Sequence, residues 1–174
     1  MVIQQDTRQK KKHHIRKEQW FEKHGIKVVN SKCLVGDYII PSDGSISVDT
    51  KKDIGELYQN LVQSHNRFVR ECELADELGI KLYILIENEE GISELDDLLN
   101  WKNPQYLVWL KKQRQGVKCK PPVKNISLIK MARTIEKKYG CTFLFCHPYE
   151  SAEKIVELLT QVEGNSPTPF PDWE

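Results

Sequence analysis

Leu34-Val35-Gly36-Asp37-Tyr38-Ile39-Ile40-Pro41-Ser42-Asp43-Gly44-Ser45-Ile46-Ser47-Val48-Asp49-Thr50-Lys51-Lys52 is the stretch on which the reading of this chain turns. Pro41 to Gly44 carries the residue types of a tight turn, with apolar and β-branched residues on both sides. It predicts two antiparallel strands, 34–40 and 45–51, with Gly36 marking a bend or a close backbone approach. In the second strand Ile46 and Val48 alternate with polar neighbours. Asp49 and Lys51 therefore share one face, and Thr50 points to the other. The turn brings Asp37 beside Asp49. Two carboxylates on adjacent strands make a hard oxygen site for a divalent cation such as Mg²⁺ or Mn²⁺. A neighbouring lysine can hold water or offset charge building on phosphorus. Phosphodiester hydrolysis needs these parts. The same residues also fit a plain hairpin, in which Asp37 is a turn residue and Asp49 and Lys51 form a solvated strand face. The motif alone leaves both readings open.

Outward from the hairpin, the periodicities alternate strand and helix. Val2–Gln5 and Ile26–Asn30 predict strands around a helix from Gln9 to His24, with Ile15, Trp20 and Phe21 as a sparse apolar stripe and Gly25 as its stop. After the hairpin, Ile54, Leu57, Tyr58 and Leu61 fit one helical face, and Phe68, Cys72, Ala75 and Leu78 fit another. Lys81–Ile86 is a continuous apolar run suited to a strand buried on both faces. A helix is expected over Ser127–Tyr139, a strand over Cys141–Cys146 and an amphipathic helix over Ser151–Val162. Residues 88–124 lack a clear period and are expected to form an irregular insert, and 164–174 a loose proline-rich tail. This order predicts an α/β protein, a three-layer α/β/α sandwich around a mixed central sheet. The expected organisation is one domain over 1–163.

The chain has 174 residues and a formal net charge of +1, from 26 basic and 25 acidic residues. That length buries a core without disulfides. No apolar run reaches the roughly 20 residues of a membrane span, and the polar, basic start has no signal core. Five cysteines without framework spacing favour a reducing compartment. The near-zero total conceals sorting by position. Residues 1–30 hold eight Lys and Arg against three acids, 111–124 hold six bases and no acid, and 87–97 hold six acids and no base. Cys141, Cys146 and His147 lie close together but form no zinc spacing, and buried thiols are the expected reading. Walker, G-x-S-x-G and G-x-G-x-x-G patterns are missing from the sequence.

Asp37 with Asp49-x-Lys51 matches the loose signature of the PD-(D/E)XK nuclease superfamily, and the flanks narrow the likeness. Asp6-Thr7-Arg8-Gln9 resembles the D-x-R-E opening of the XPF/Hef type of structure-specific DNA nuclease. Leu34 to Ile39 resembles its L-x-V-G-D-Y segment. Ser47-Val48-Asp49-Thr50-Lys51-Lys52 stands where that family has V-E-R-K, and Arg67 to Cys72 resembles its R-L-x-x-Q helix. Tyr83 to Glu87, Ser127 to Lys130, Tyr139 to Phe145 and Ser151-Ala152 follow in the family's order. The likeness is collinear from about residue 2 to residue 160. Five positions depart from it: Gln9 and Asp49 replace glutamates, Thr50 replaces an arginine, Gly55 falls where the family has an aspartate with Asp53 and Glu56 nearby, and Glu71 stands where the family tends to have glutamine.

The resemblance implies a restriction-endonuclease-like fold and a Mg²⁺- or Mn²⁺-dependent DNA endonuclease for branched or flapped DNA, in a DNA repair or recombination setting. Asp37, Asp49 and the Thr50 carbonyl would hold the metal, Lys51 would position water, and Glu71 or Asp6 would assist. Arg8 would touch phosphate, and Arg67 would touch phosphate or brace Glu71. Lys10, Lys11 and Lys12 form a basic patch beside them, and Lys52 adjoins the catalytic lysine. Lys111, Lys112 and Arg114 follow Trp101, Tyr106 and Trp109; the charges suit a DNA contact and the aromatics suit packing. The alternative is a non-catalytic DNA-binding module on the same fold. Relatives usually carry a tandem helix-hairpin-helix module, for which these 174 residues leave no room. Substrate choice is then expected from the insert, a homodimer or a partner protein, and a cytoplasmic bacterial or phage setting with no membrane role is expected.

Overall fold

The computed structural model describes residues 1–7 and 14–161. The elements in chain order are β1 (Val2–Gln5), α1 (Ile15–Lys23), β2 (Lys27–Asn30), β3 (Tyr38–Ile39), β4 (Ile46–Lys51), α2 (Ile54–Tyr58), a π-helical turn (Gln59–Gln63), α3 (His65–Glu77), β5 (Lys81–Glu87), a 3₁₀ helix (Leu95–Asn100), α4 (Gln105–Arg114), α5 (Asn125–Tyr139), β6 (Thr142–Cys146) and α6 (Ser151–Leu159). The strands form one six-stranded mixed sheet in the order β2-β1-β3-β4-β5-β6. β3 pairs antiparallel with both β1 and β4, whereas β4, β5 and β6 run parallel.

Each face of the sheet buries its own apolar cluster. On one side Ile3, Val48 and Leu85 pack with Phe21 of α1 and Ile155 and Leu158 of α6. On the other, Ile84 and Ile86 pack with Ile54, Leu61, Phe68, Ile129 and Ile135, from α2 through α5. Helices thus cover both faces, giving the expected three-layer α/β/α sandwich. Alternation along β5 explains the division: its even-numbered isoleucines face α3 and α5, and Leu85 faces α1 and α6.

Several expectations change in detail. The strand expected over 34–40 shrinks to Tyr38–Ile39. Gly36 adopts φ +64°, and a Cβ there would stand 2.3 Å from Ser47 Oγ, so the chain bends where it passes closest to β4. The two apolar faces read between residues 54 and 78 belong to separate helices, α2 and α3, with the π-helical turn between them turning the chain. Leu78, expected inward, is exposed beyond the end of α3. In α1, Ile15 points outward and Lys17 is buried in its place. Residues 88–124 are more regular than expected, because they contain the 3₁₀ helix and α4.

The burial of Lys17 has a partner. Its ammonium ion-pairs with Glu87 at the end of β5, and Ser151 Oγ donates to Glu87 Oε1 at 2.8 Å. His14 Nδ1 lies 2.6 Å from the hydroxyl of Tyr38. These contacts fasten α1 and the start of α6 to the middle of the sheet, where a lone buried charge would be costly.

Candidate active site

The hairpin register decides which side chains meet. Tyr38 lies opposite Val48 and Ile39 opposite Ser47. One step further along this register places Asp37 opposite Asp49. The Asp37 amide donates to the Val48 carbonyl at 2.9 Å, so the pairing continues although the strand proper has ended. Asp37 Oδ2 then accepts from the Thr50 amide at 2.8 Å and the Thr50 hydroxyl at 2.7 Å. Thr50 was expected to offer its carbonyl. What it shows here is a donor pair that fixes the Asp37 carboxylate.

Asp49 and Lys51 point toward α3, as alternation requires, and both are buried. Lys51 Nζ lies 2.6 Å from Asp49 Oδ2 and 5.5 Å from the ring centre of Phe68. The ammonium thus compensates the Asp49 carboxylate inside the protein. Glu71 of α3 accepts from the Gly36 amide at 3.1 Å. It therefore holds the bend immediately before Asp37. Asp6 works from the other side: its amide donates to the Asp37 carbonyl at 2.8 Å, and its Oδ2 accepts from the Cys33 amide at 2.9 Å. Asp6, Asp37, Asp49, Lys51 and Glu71 are thus gathered around the β3–β4 end of the sheet.

The electrostatics follow from burial and crowding of acids. Burial pushes the Asp37 carboxyl well above the ordinary aspartate value, and repulsion from Asp49 adds to this. The Thr50 donors and Lys51 pull in the other direction without overcoming it. For Lys51, burial alone would lower the pKa. Asp49 first, then Asp37 and Glu71, outweigh it and hold the ammonium above the ordinary lysine value. Lys51 is accordingly a fixed positive charge and no proton acceptor at neutral pH.

These features suit a hard divalent cation. Asp37 is destabilised by burial and by the neighbouring Asp49 carboxylate. A cation shared between the two carboxylates relieves that repulsion. Among the described residues no cluster of three or more His, Cys, Asp or Glu is arranged for a metal, so the protein's share would be the two aspartates plus backbone oxygen.

The expected DNA contacts spread more widely. Lys52 is exposed, 3.9 Å from Asp53. Arg67 is exposed on α3, one turn before Glu71. Lys111, Lys112 and Arg114 are exposed on α4, in the insert. Arg8, Lys10, Lys11 and Lys12 lie outside the described residues, as does the tail 164–174. The aromatics of the insert do pack: Trp101 is buried against Tyr58, and Trp109 Nε1 donates to the Cys119 carbonyl at 3.1 Å.

Sequence reasoning missed two supports of the site. Ser47 Oγ donates to the Val35 carbonyl at 2.8 Å and braces the bend; its position two before Asp49 on the same face was the available signal. The Thr50 hydroxyl contact to Asp37 carried no signal, because alternation assigns Thr50 to the opposite face.

Comparison with known proteins accords with this architecture. No family model matches the chain, and no curated protein matches it. Among solved structures it is similar to XPF from Aeropyrum pernix, with a TM-score of 0.61 and 16% identity over 91% of this chain and 63% of that one. It is also similar to XPF from Aeropyrum pernix in complex with DNA, with a TM-score of 0.57 and 16% identity over 91% of this chain and 62% of that one. The chain therefore has the fold of XPF and spans less than two thirds of the length of those chains. No helix among the described residues is long and apolar enough to cross a membrane.

Proposed function

We propose that this XPF-like fold is a divalent-metal-dependent DNA endonuclease that hydrolyses phosphodiester bonds in branched or flapped DNA. The observation that carries the reading is the meeting of Asp37 with Asp49 and Lys51 across the β3–β4 hairpin, in a fold shared with a protein solved on DNA. Asp37 and Asp49, with the Thr50 carbonyl, would hold Mg²⁺ or Mn²⁺. When bound, such a cation lowers the pKa of water and offsets charge on phosphate oxygens.

The chain's own residues do the remaining work. The Thr50 amide and hydroxyl fix the Asp37 carboxylate. Lys51, held protonated by the surrounding acids, orients the attacking water and stabilises the pentacoordinate phosphorus electrostatically. It does not serve as general base. Glu71 and Asp6 are positioning residues: Glu71 accepts from the Gly36 amide next to Asp37, and Asp6 accepts from the Cys33 amide while its own amide donates to the Asp37 carbonyl. Arg67 and Lys52 lie on exposed positions flanking the site, where phosphates of the bound strand can reach them. Arg8 and Lys10 to Lys12 belong to the same reading on sequence grounds.

The test is cleavage of flap, fork and plain duplex DNA with Mg²⁺ or Mn²⁺, alongside Asp49→Asn and Lys51→Met. The expected result is metal-dependent cleavage of branched DNA that both substitutions reduce by at least about a hundredfold, the range seen when one electrostatic catalytic group is removed. Cleavage that survives both substitutions sinks the assignment of the site. DNA binding without cleavage under any metal supports a binding module on this fold instead.

A further inference from the structure

The insert leaves the sheet at the same end as the candidate site. β4 and β5 are parallel, with Lys51 opposite Ile86, so their carboxyl ends coincide and residues 88–124 depart from that edge. In open α/β sheets this is the edge where ligands bind. The root of the insert is tied to the helix that follows the catalytic strand. Tyr58 of α2 packs on Trp101 with ring centres 6.1 Å apart, and its hydroxyl accepts from the Val123 amide at 3.2 Å.

α4 has an inner and an outer face. Tyr106, Trp109 and Gln113 share one face. They hydrogen-bond carbonyls of the extended segment that returns along the helix, at Pro122, Cys119 and Val117. The opposite face carries Leu107, Val108 and Lys111, with Lys112 and Arg114 at its two flanks. Leu107 is 73% exposed, Val108 47% and Leu110 43%, on a helix that has no buried residue of its own. Apolar side chains thus occupy the first half of the outer face and cations the second. Between Asp97 and Glu136 there are nine lysines and arginines and no acid, so the surroundings favour a polyanion.

We infer that the outer face of α4 docks the arm of a branched DNA where duplex gives way to unpaired strand. The inference rests on the nuclease reading for its substrate class. Lys111, Lys112 and Arg114 take backbone phosphates, and Leu107 and Val108 contact the bases exposed at the junction. Intact duplex offers phosphates but no unstacked base faces. It therefore satisfies only the cationic half, whereas a junction satisfies both. Leucine-type wedges against unstacked bases and basic contacts to phosphate are separate, known contributions to such binding. Their order along one short helix makes the face a reader of DNA shape.

The experiment is a fluorescence-anisotropy titration of the full chain in EDTA with fork, flap, single-stranded and duplex DNA of equal length, across a salt series. Leu107→Asn/Val108→Asn is expected to weaken fork and flap binding roughly three- to tenfold, at or below the low end of what an aromatic stacked on an unpaired base contributes. Duplex binding should stay within about twofold. Lys111→Gln/Lys112→Gln is expected to weaken all DNA and to reduce the slope of log affinity against log salt by about 0.9 for each phosphate left without its lysine. These positions are exposed, and far-ultraviolet circular dichroism confirms folding of each variant. Equal losses on fork and duplex in the Asn variant, or none, overturn the inference. So does a loss confined to self-association, by light scattering, or to binding of anionic vesicles, since another occupant then owns the face. The two readings fail separately. If wild type cleaves and the α4 variants bind and cleave every DNA as it does, the docking inference falls and the nuclease reading stands. If no DNA is cleaved but junction binding falls as stated, the nuclease reading falls and the docking surface stands.

Discussion

Removing the Lys51 ammonium should cost this protein more stability than removing the Asp49 carboxylate. The pair is buried, with side-chain exposures of 7% and 6% and a separation of 2.6 Å, so solvent does not screen it. Breaking a buried pair by deleting one partner costs about 3–5 kcal/mol, because the survivor stays charged in a poor solvent. The two deletions are unequal here. Lys51→Met leaves Asp37, Asp49 and Glu71 around a missing cation. Asp49→Asn leaves Lys51 with two acids whose charges still favour it. Lys51→Met is therefore placed at the upper end of that range. Against a total of about 5–15 kcal/mol, and at about 2–4 °C per kcal/mol for a chain of this size, it should lower the melting temperature by roughly 10–20 °C. The double variant Asp49→Asn/Lys51→Met should be more stable than Lys51→Met alone, because it removes one of the stranded acids.

The assay is urea denaturation of the four proteins in EDTA, closed as a double-mutant cycle. Additive single effects, or Asp49→Asn costing as much as Lys51→Met, would refute the reasoning. The pH dependence gives a second check on the same pair. Lys51 has its pKa raised in the folded state, so its contribution is fully present below the ordinary lysine value of 10.5 and is lost as pH rises through the folded value. The gap between wild type and Lys51→Met should stay constant from about pH 7 to 9 and close only in strong base. Saturating Mn²⁺ should return part of the loss to Lys51→Met, about 2.7 kcal/mol at a hundred times its dissociation constant.

Two further predictions concern the residues around Asp37. Gly36→Ala should destabilise by at least about 2 kcal/mol, from a left-handed backbone and a Cβ placed 2.3 Å from Ser47 Oγ. Adding Ser47→Ala should recover part of it, and no recovery in denaturant melts would mean that the collision is not the cause. Asp37→Asn should stabilise the metal-free protein, since burial and Asp49 hold that carboxyl well above 3.8. An acid whose folded pKa is raised penalises folding only above its unfolded value, so the gain should vanish below about pH 3.8 and grow above it. Thermal melts in EDTA at pH 3 and pH 7 check the sign, and the same variant should lose any stabilisation by Mn²⁺.

The sequence made the parts of this site legible where period and local chemistry act together. Turn residues at Pro41–Gly44 and alternation at Ile46 and Val48 were enough to set Asp49 and Lys51 on one face and Asp37 across from them. What stayed hidden depends on contacts between distant segments. Nothing local to Lys17 shows that it buries against Glu87, far along the chain, and Ile15, the better core residue by type, is left outside. Strand 34–40 looked longer than it is because apolar content cannot show that Gly36 must turn left-handed past Ser47. Residues 88–124 looked irregular because α4 turns its hydrogen-bonding face to its own return segment. Its inward residues are two aromatics and a glutamine, which give little amphipathic signal.

The same topology explains why a chain with net charge +1 can suit a polyanion. The antiparallel β3–β4 hairpin brings two acids face to face, and the parallel β4–β5–β6 run sends the basic insert out at that same edge. Acids concentrated at the reacting phosphate repel DNA as a whole unless cations flank them within about a Debye length, roughly 8–10 Å at working salt. Lys51 offsets part of the charge of Asp37, Asp49 and Glu71, and exposed cations near them add to the attraction for DNA. Exposed Lys52 adjoins Lys51 and exposed Arg67 stands one turn before Glu71, while the α4 bases lie on the insert that departs from this end of the sheet. Substrate binding should therefore be more salt-sensitive in EDTA than in Mg²⁺, since a bound cation neutralises the acids and leaves fewer bases engaged against them. The difference should be largest in Lys51→Met, which cannot compensate the acids itself. A salt slope that Mg²⁺ leaves unchanged in that variant would show that the insert's electrostatics act independently of the site.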